Sequence, residues 1–234
     1  MVYGVAVASP SPRLDAILSL LRPCRLLADV GTDHGLVPVL AVQRGLAERA
    51  VAADLREAPL EVARRKIADA NVGDRVTTLQ GDGLLALEKQ GVDAVVLAGM
   101  SGGLMQRLCE AAPDVLRDVK QLVIQPNKDA EVMRAWAREH GWHVRDESML
   151  QTRGRFFVVC AFVRGSGTDP AYDLAGWTKA ALLSIGPLLA LRKDAVALRY
   201  CEAQRARLAD LVAEGIAGYE PELAGFETAC ELMR

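Results

Sequence analysis

Short apolar and β-branched runs alternate along the chain with stretches whose apolar residues recur at helical spacing. The runs predict strands at 25–30, 50–54, 75–80, 93–98, 121–125, 142–150 and 155–163. Between the first six lie expected helices near 36–44, 58–70, 84–89, 103–111 and 130–140, after an opening helix around 14–21. In the 58–70 helix, Val62, Ala63, Ile67 and Ala70 make one apolar face. Parallel neighbours need a crossover, so strand–helix alternation implies a parallel sheet covered on both faces. The last two strands are joined only by Gln151-Thr152-Arg153-Gly154, which allows an antiparallel hairpin and no crossover. The expected fold is α/β: a Rossmann-like, seven-stranded, mostly parallel sheet with an antiparallel last strand.

Gly165-Ser166-Gly167-Thr168-Asp169-Pro170 reads as a linker. It divides the chain into an expected α/β domain, 1–165, and a small C-terminal helical region, 166–234. In the latter, Leu174, Trp177, Ala181, Leu182, Ile185, Leu188 and Leu189 form a helical stripe, bent or broken at Gly186-Pro187. A second helix, about 194–213, is expected to complete a hairpin or coiled-coil-like pair, and 219–234 is acidic and apolar.

Composition narrows the class without naming it. A net charge of −2 excludes a whole-molecule basic field, so any polyanionic partner must meet a local basic surface. Cys24, Cys109, Cys160, Cys201 and Cys230 are scattered, with no C-x-x-C pair. That points to reduced thiols and neither a disulfide framework nor a metal site. No long apolar span and no leader-like start is visible, so a cytoplasmic protein without membrane contact is expected, as a monomer or weak dimer.

In an open parallel sheet, ligands sit beyond the carboxyl ends of the strands. The first strand ends in Asp29-Val30-Gly31-Thr32-Asp33-His34, where Gly31 lets the backbone turn tightly against a ligand. Asp54 ends the second strand at the distance where an acid reaches ribose hydroxyls; a helix cap is its structural alternative. Gly81-Asp82-Gly83 ends the third strand and reads as a thin-walled acidic turn. A pyrophosphate needs a helix N-terminus without anions, whereas Asp29 and Asp33 flank Gly31 and suit a sulfonium amino acid. The fourth strand ends in Ala98-Gly99-Met100-Ser101-Gly102-Gly103, expected to be a small, flexible loop that admits a flat ring. Gln125-Pro126-Asn127 ends the fifth; Gln125 and Asn127 are candidates for a base edge, with Asn127 as a helix cap the structural alternative. His34 reads first as a packed helix-start residue.

With these strand ends assembled, the sequence resembles the bacterial tRNA (adenine-22-N1)-methyltransferase family. The resemblance rests on Ala28 through His34, Gly81-Asp82-Gly83-Leu84, Ala98 through Gly102, Gln125-Pro126-Asn127 and, more weakly, Ile185-Gly186-Pro187-Leu188-Leu189. It covers about 12–164, departs from the family at Ser101, where a glycine is usual, and leaves the C-terminal region looking short. It implies a class I fold, S-adenosylmethionine as donor and N1 of an adenine in tRNA as acceptor. Asp29, Gly31, Thr32, His34, Asp54, Gly81, Asp82, Gly83, Ala98 and Gly99 would then hold the cofactor. Asp33, Asn127 and Met100 would serve the reaction, with no metal. Lys179, Arg192, Lys193, Arg199, Arg205 and Arg207 would meet tRNA phosphates along one surface. The alternatives are a class I methyltransferase for another RNA position or a small molecule, and a non-catalytic donor-binding module. An NAD-dependent oxidoreductase is disfavoured by the terminal hairpin and the acids around Gly31.

Overall fold

Ser11 and Pro12 start the first helix. Ser11 Oγ accepts from the Leu14 amide at 3.2 Å, and Pro12 occupies the first turn, where its missing N–H costs nothing. The computed structural model describes residues 11–234, so the expectation of a leader-free start lies outside the described residues. The elements follow as α1 (Pro12–Ser19), β1 (Cys24–Val30), α2 (Leu36–Gln43), β2 (Ala47–Asp54), α3 (Glu57–Asp69) and β3 (Val76–Gln80). A 3-10 turn (Gly83–Leu87) leads to β4 (Ala94–Ala98), α4 (Gly102–Ala111), α5 (Pro113–Asp118), β5 (Gln121–Gln125) and α6 (Ala130–Glu139). Then come β6 (Trp142–Thr152), β7 (Arg155–Arg164), a 3-10 turn (Pro170–Tyr172), α7 (Lys179–Ile185), α8 (Pro187–Leu191), α9 (Ala195–Ala213) and α10 (Glu220–Met233).

The strands form one 7-stranded sheet in the order β3-β2-β1-β4-β5-β7-β6. Strands β1 to β5 are parallel, and β7 runs antiparallel to both β5 and β6. Strand order reverses between β1 and β4, which opens the crevice that open α/β sheets use for ligands. The central strands are buried on both faces by alternation. Val96 and Val123 meet α1 and α2, while Val95, Leu97, Leu122 and Ile124 meet α4 and α6.

Three local expectations change. The helix expected at 84–89 is a single 3-10 turn. The segment 113–118 is a helix of its own, started by Pro113 in its first turn. The C-terminal hairpin is not the 174–189 stripe paired with 194–213. The stripe breaks into α7 and α8 at Gly186, as expected, but it is α10 that pairs with α9. Phe226, Ala229, Cys230 and Met233, at i, i+3, i+4 and i+7, bury the α10 face against Cys201 and Leu208 of α9.

A buried ion pair ties this tail to the sheet. Arg134 on α6 and Glu147 on β6 have fully buried side chains and meet at 2.8 Å. The rest of the guanidinium caps the end of α7, donating to the carbonyls of Leu183 (2.8 Å), Ser184 (3.1 Å) and Ile185 (3.3 Å). The other Glu147 oxygen accepts from the Leu188 amide at the start of α8, at 3.0 Å. Each charge thus faces the helix end that needs it, and orphan groups at both ends are satisfied. The chain passes against the pair at Gly186, φ +112°, where a Cβ would lie 2.7 Å from both Glu147 oxygens. Only glycine fits there. Breaking one partner of such a pair strands a buried charge. Glu147→Gln is therefore expected to lower unfolding free energy by about 3–5 kcal/mol, read by urea denaturation; a loss below about 1 kcal/mol would mean the pair is solvated.

Candidate active site

The ends of β1 and β4 open on a cavity of about 500 Å³. Asp29, Gly31, Thr32, Asp33, His34, Ala98 and Gly99 line it, so the residues expected around the first turn and the fourth strand end come together. Sequence reasoning missed other parts of the wall: Ser11 and, from α1, Arg13, Leu14 and Ile17, Leu36 and Val37 at the start of α2, and Arg56 after β2. An opening helix was expected around 14–21, but nothing local placed it over the sheet edge. A second cavity, about 540 Å³ between α7 and α10, is lined by Trp177, Phe226 and Leu232 and holds none of the strand-end residues.

The β1 turn is held by its own amides. Gly31 and Thr32 both donate to the Ala53 carbonyl, at 2.8 and 3.0 Å. The Gly35 amide donates to Thr32 Oγ1 at 3.1 Å. A phosphate cradle needs such amides unpaired, so this turn is not built for pyrophosphate. Gly31 (φ +76°) packs under Met100, whose Cε would lie 2.7 Å from an added Cβ. Gly35, at the head of α2, abuts Ala63 of α3, whose Cβ would lie 2.9 Å from one.

The acids differ in setting. Asp29 is 5 % exposed. Burial pushes its carboxyl up to about 6, a hydrogen bond with the Thr32 side chain opposes that rise, and the charge of Asp54 adds to it. The Asp33 side chain is 83 % exposed at the mouth, with His34 Nε2 3.4 Å away. His34 is itself about half exposed, so it is a rim residue and not a packed one. Asp54 is buried; its Oδ1 accepts at 2.8 Å from the amide of Arg56, the residue just before α3 begins. Gly81, exposed Asp82 and Gly83 lie at the end of β3, outside the cavity wall, with Gly81 packed on Ala86 and Gly83 on Leu108.

The loops after β4 and β5 are zipped together, which corrects the expectation of a flexible acceptor loop. Gly99 N donates to Gln125 O (3.0 Å), Asn127 N to Met100 O (2.8 Å) and Gly102 N to Lys128 O (2.9 Å). Asn127 Nδ2 adds a bond to Gly99 O at 2.6 Å, so Asn127 braces the loop and does not cap α6. A Cβ on Gly102 would fall 1.9 Å from the Asp129 carbonyl, which explains the glycine. Ser101 caps α4, accepting from the Leu104 amide at 3.3 Å. Gln125 is fully buried, its amide donating to Pro126 O at 2.9 Å, and so does not present a base-binding edge.

The chain matches the Methyltransferase domain family over residues 10–160. It is 32% identical over 189 residues to the tRNA (adenine(22)-N(1))-methyltransferase of Bacillus subtilis strain 168, spanning 81% of this chain and 78% of that protein. The chain belongs to this tRNA (adenine(22)-N(1))-methyltransferase family. The crystal structure of the B. subtilis M1A22 tRNA methyltransferase TrmK superposes with TM-score 0.82 at 27% identity, over 96% of this chain and 97% of that one. Streptococcus pneumoniae Sp1610 in complex with S-adenosyl-L-methionine gives TM-score 0.84 at 25% identity, over 94% and 99%. Both superpositions reach into the helical tail, so the C-terminal region is not short for the family. Membership makes the chain an S-adenosylmethionine-dependent methyltransferase.

In this methyltransferase the basic residues of the tail are not one stripe. At roughly 100° per residue, Arg199, Arg205 and Arg207 point roughly 80–160° apart around α9. Arg192 is engaged with Asp146 at 2.7 Å and with the Glu147 carbonyl. Lys179 and Lys193 lie exposed at the start of α7 and just after α8.

Burial places ionisation of the Asp29 carboxyl near pH 6, and a carboxyl in the role of donor-binding acid would have to be ionised to attract a cation. Donor affinity is therefore expected to rise between about pH 5 and 7 and then level off. Asp29→Asn should bind more weakly with no step in that window, by isothermal titration calorimetry; an unchanged step in the variant would assign the titration to another group.

Proposed function

We propose that this protein methylates N1 of adenine 22 in tRNA, in the cytoplasm, with the strand-end cavity of the 1–165 unit as donor site and the 166–234 helices as an auxiliary tRNA surface. The observation that carries this reading is the pairing of a buried acid, Asp29, with an exposed acid, Asp33, across a turn whose first amides are already bonded. Such a wall favours a cation and disfavours a phosphate. S-adenosylmethionine, when bound, would supply an electrophilic methyl carbon on a sulfonium; attack by the N1 lone pair would break the carbon–sulfur bond and leave a neutral thioether, with no prior loss of a proton. No strong general base is then required.

In this reading Asp29 fixes the donor's charged end and Asp54 its ribose. Thr32 orients Asp29, and Gly31, Ala98 and Gly99 keep the floor close. His34 contributes at the rim, while Gly81, Asp82 and Gly83 border the adenosine end. Asp33, at the mouth, orients the acceptor adenine and stabilises the positive charge that develops on it. Met100 and Asn127 fix the ledge on which that ring rests. N1 is paired or stacked in folded tRNA, so the base must leave its stack to reach the ledge. Lys179, Lys193, Arg199, Arg205 and Arg207 offer phosphate contacts on several sides of the tail, the net charge leaving that task to local patches.

Incubation with labelled donor and unmodified tRNA, followed by nucleoside mapping, tests the assignment; absence of 1-methyladenosine from every tRNA tried overturns it. Asp33→Ala is expected to lower kcat about 10²-fold with little change in donor Kd. Equal losses in both would place Asp33 on the donor instead.

A further inference from the structure

Strand β6 runs parallel to β5, so the β6–β7 turn lies at the same edge of the sheet as the cavity. The turn is tight: Thr152 pairs with Arg155, and the two residues between them, Arg153 and Gly154, have φ of +49° and +75°. It holds Arg153 and Arg155 exposed to solvent. The chain has no acid between Glu147 and Asp169, so this hairpin tip is a local basic patch in a protein of net charge −2.

The tip reaches toward the cavity through an aromatic ring. Phe157, half-buried on β7, has the Arg155 guanidinium carbon 5.5 Å from its centroid and that of Arg13 at 5.9 Å. Arg13 also lines the donor cavity, so one continuous surface runs from the cavity mouth over Phe157 to the turn. Among the described residues, Arg13, Arg153 and Arg155 have no carboxylate within ion-pairing distance, whereas Arg44, Arg64, Arg192 and Arg234 do. The nearby Asp15 is held by Arg44 at 2.8 Å. Guanidiniums left without acids, beside an aromatic face, match the stacking platform and backbone groove that hold single-stranded nucleic acid.

We propose that the Arg153–Arg155 turn, with Phe157 and Arg13, grips the tRNA strand that flanks the extruded adenine. Arg153 and Arg155 take the phosphates, and Phe157 with Arg13 carries the neighbouring base. This assignment rests on tRNA being the substrate. It places the contact that positions the target beside the cavity, on the α/β unit and not on the tail.

The test compares wild type with Arg153→Ala/Arg155→Ala, Arg155→Lys and Phe157→Leu, measuring kcat, KM for tRNA, donor Kd and the salt dependence of tRNA binding. Two lost phosphate contacts should raise KM for tRNA about tenfold at 0.15 M salt and flatten the log–log salt slope by about 1.4. Donor Kd and the melting temperature should stay put, and Arg155→Lys should retain the slope. Phe157→Leu should raise KM while leaving the slope intact, because it removes a stacking face and no charge. Wild-type methylation of tRNA with KM and slope unchanged in the double variant overturns the tip contact alone. Failure of wild type itself to methylate tRNA overturns the underlying function, so the two failures are distinguishable.

Discussion

The Arg134–Glu147 pair is the constraint around which the rest of the molecule is arranged. A fully buried ion pair is tolerated only when every remaining donor and acceptor finds a partner. Here those partners are the helix ends of the tail: the last carbonyls of α7 and the first free amide of α8. The Cys160 thiol, kept neutral by burial that pushes its pKa up to about 12, adds a contact to Glu147 Oε1 at 3.5 Å. The helical tail is therefore part of the electrostatic closure of β6, not a passenger attached by a linker. Through β6 and β7 the same closure fixes the edge of the sheet that carries the hairpin tip.

At the other end of the strands, the site is organised by a second shared acceptor. The Ala53 carbonyl on β2 takes two amides from the turn after β1, which turns the backbone while leaving the acids to define its charge. Asp29 and Asp33 sit four residues apart in very different dielectric settings, one buried and one in solvent. That difference, more than the presence of acids, separates a group suited to fixing a cationic ligand from one free to act on an incoming base. The zipped β4 and β5 loops supply a rigid counterpart held by four hydrogen bonds, as the proposed acceptor ledge requires.

Much of the fold was legible because its strands are short, strongly apolar and separated by helical spacing; each strand expected from 25–163 is present with small shifts at its ends. The hairpin at the end followed from the length of its turn alone. The misreadings arose where long-range contacts decide the outcome. The stripe 174–189 breaks at Gly186-Pro187, where a break was expected, but its spacing did not reveal that α9 would pair with α10 and not with it. Helix α10 carries the i, i+3, i+4, i+7 signal at Phe226, Ala229, Cys230 and Met233, which its acidic surface residues obscured. Asn127 was weighed as a helix cap from its place after Pro126, yet its side chain turns to Gly99 across the sheet edge.

The sequence by itself determined the strand order's raw material and the acid-flanked glycine turn, whose charge suits a cationic ligand, because these depend on local spacing and charge. It also determined that Asp29, Gly31, Thr32, Asp33 and His34 share one strand end with Ala98 and Gly99 nearby. Only the tertiary structure decided which acid is buried, that α1 and Arg56 close the cavity, and that Gln125 faces the core. It alone brought Arg13 beside Phe157 and set Arg134 against Glu147. Those facts depend on which distant segments are packed together, and packing distance is not encoded in any local period.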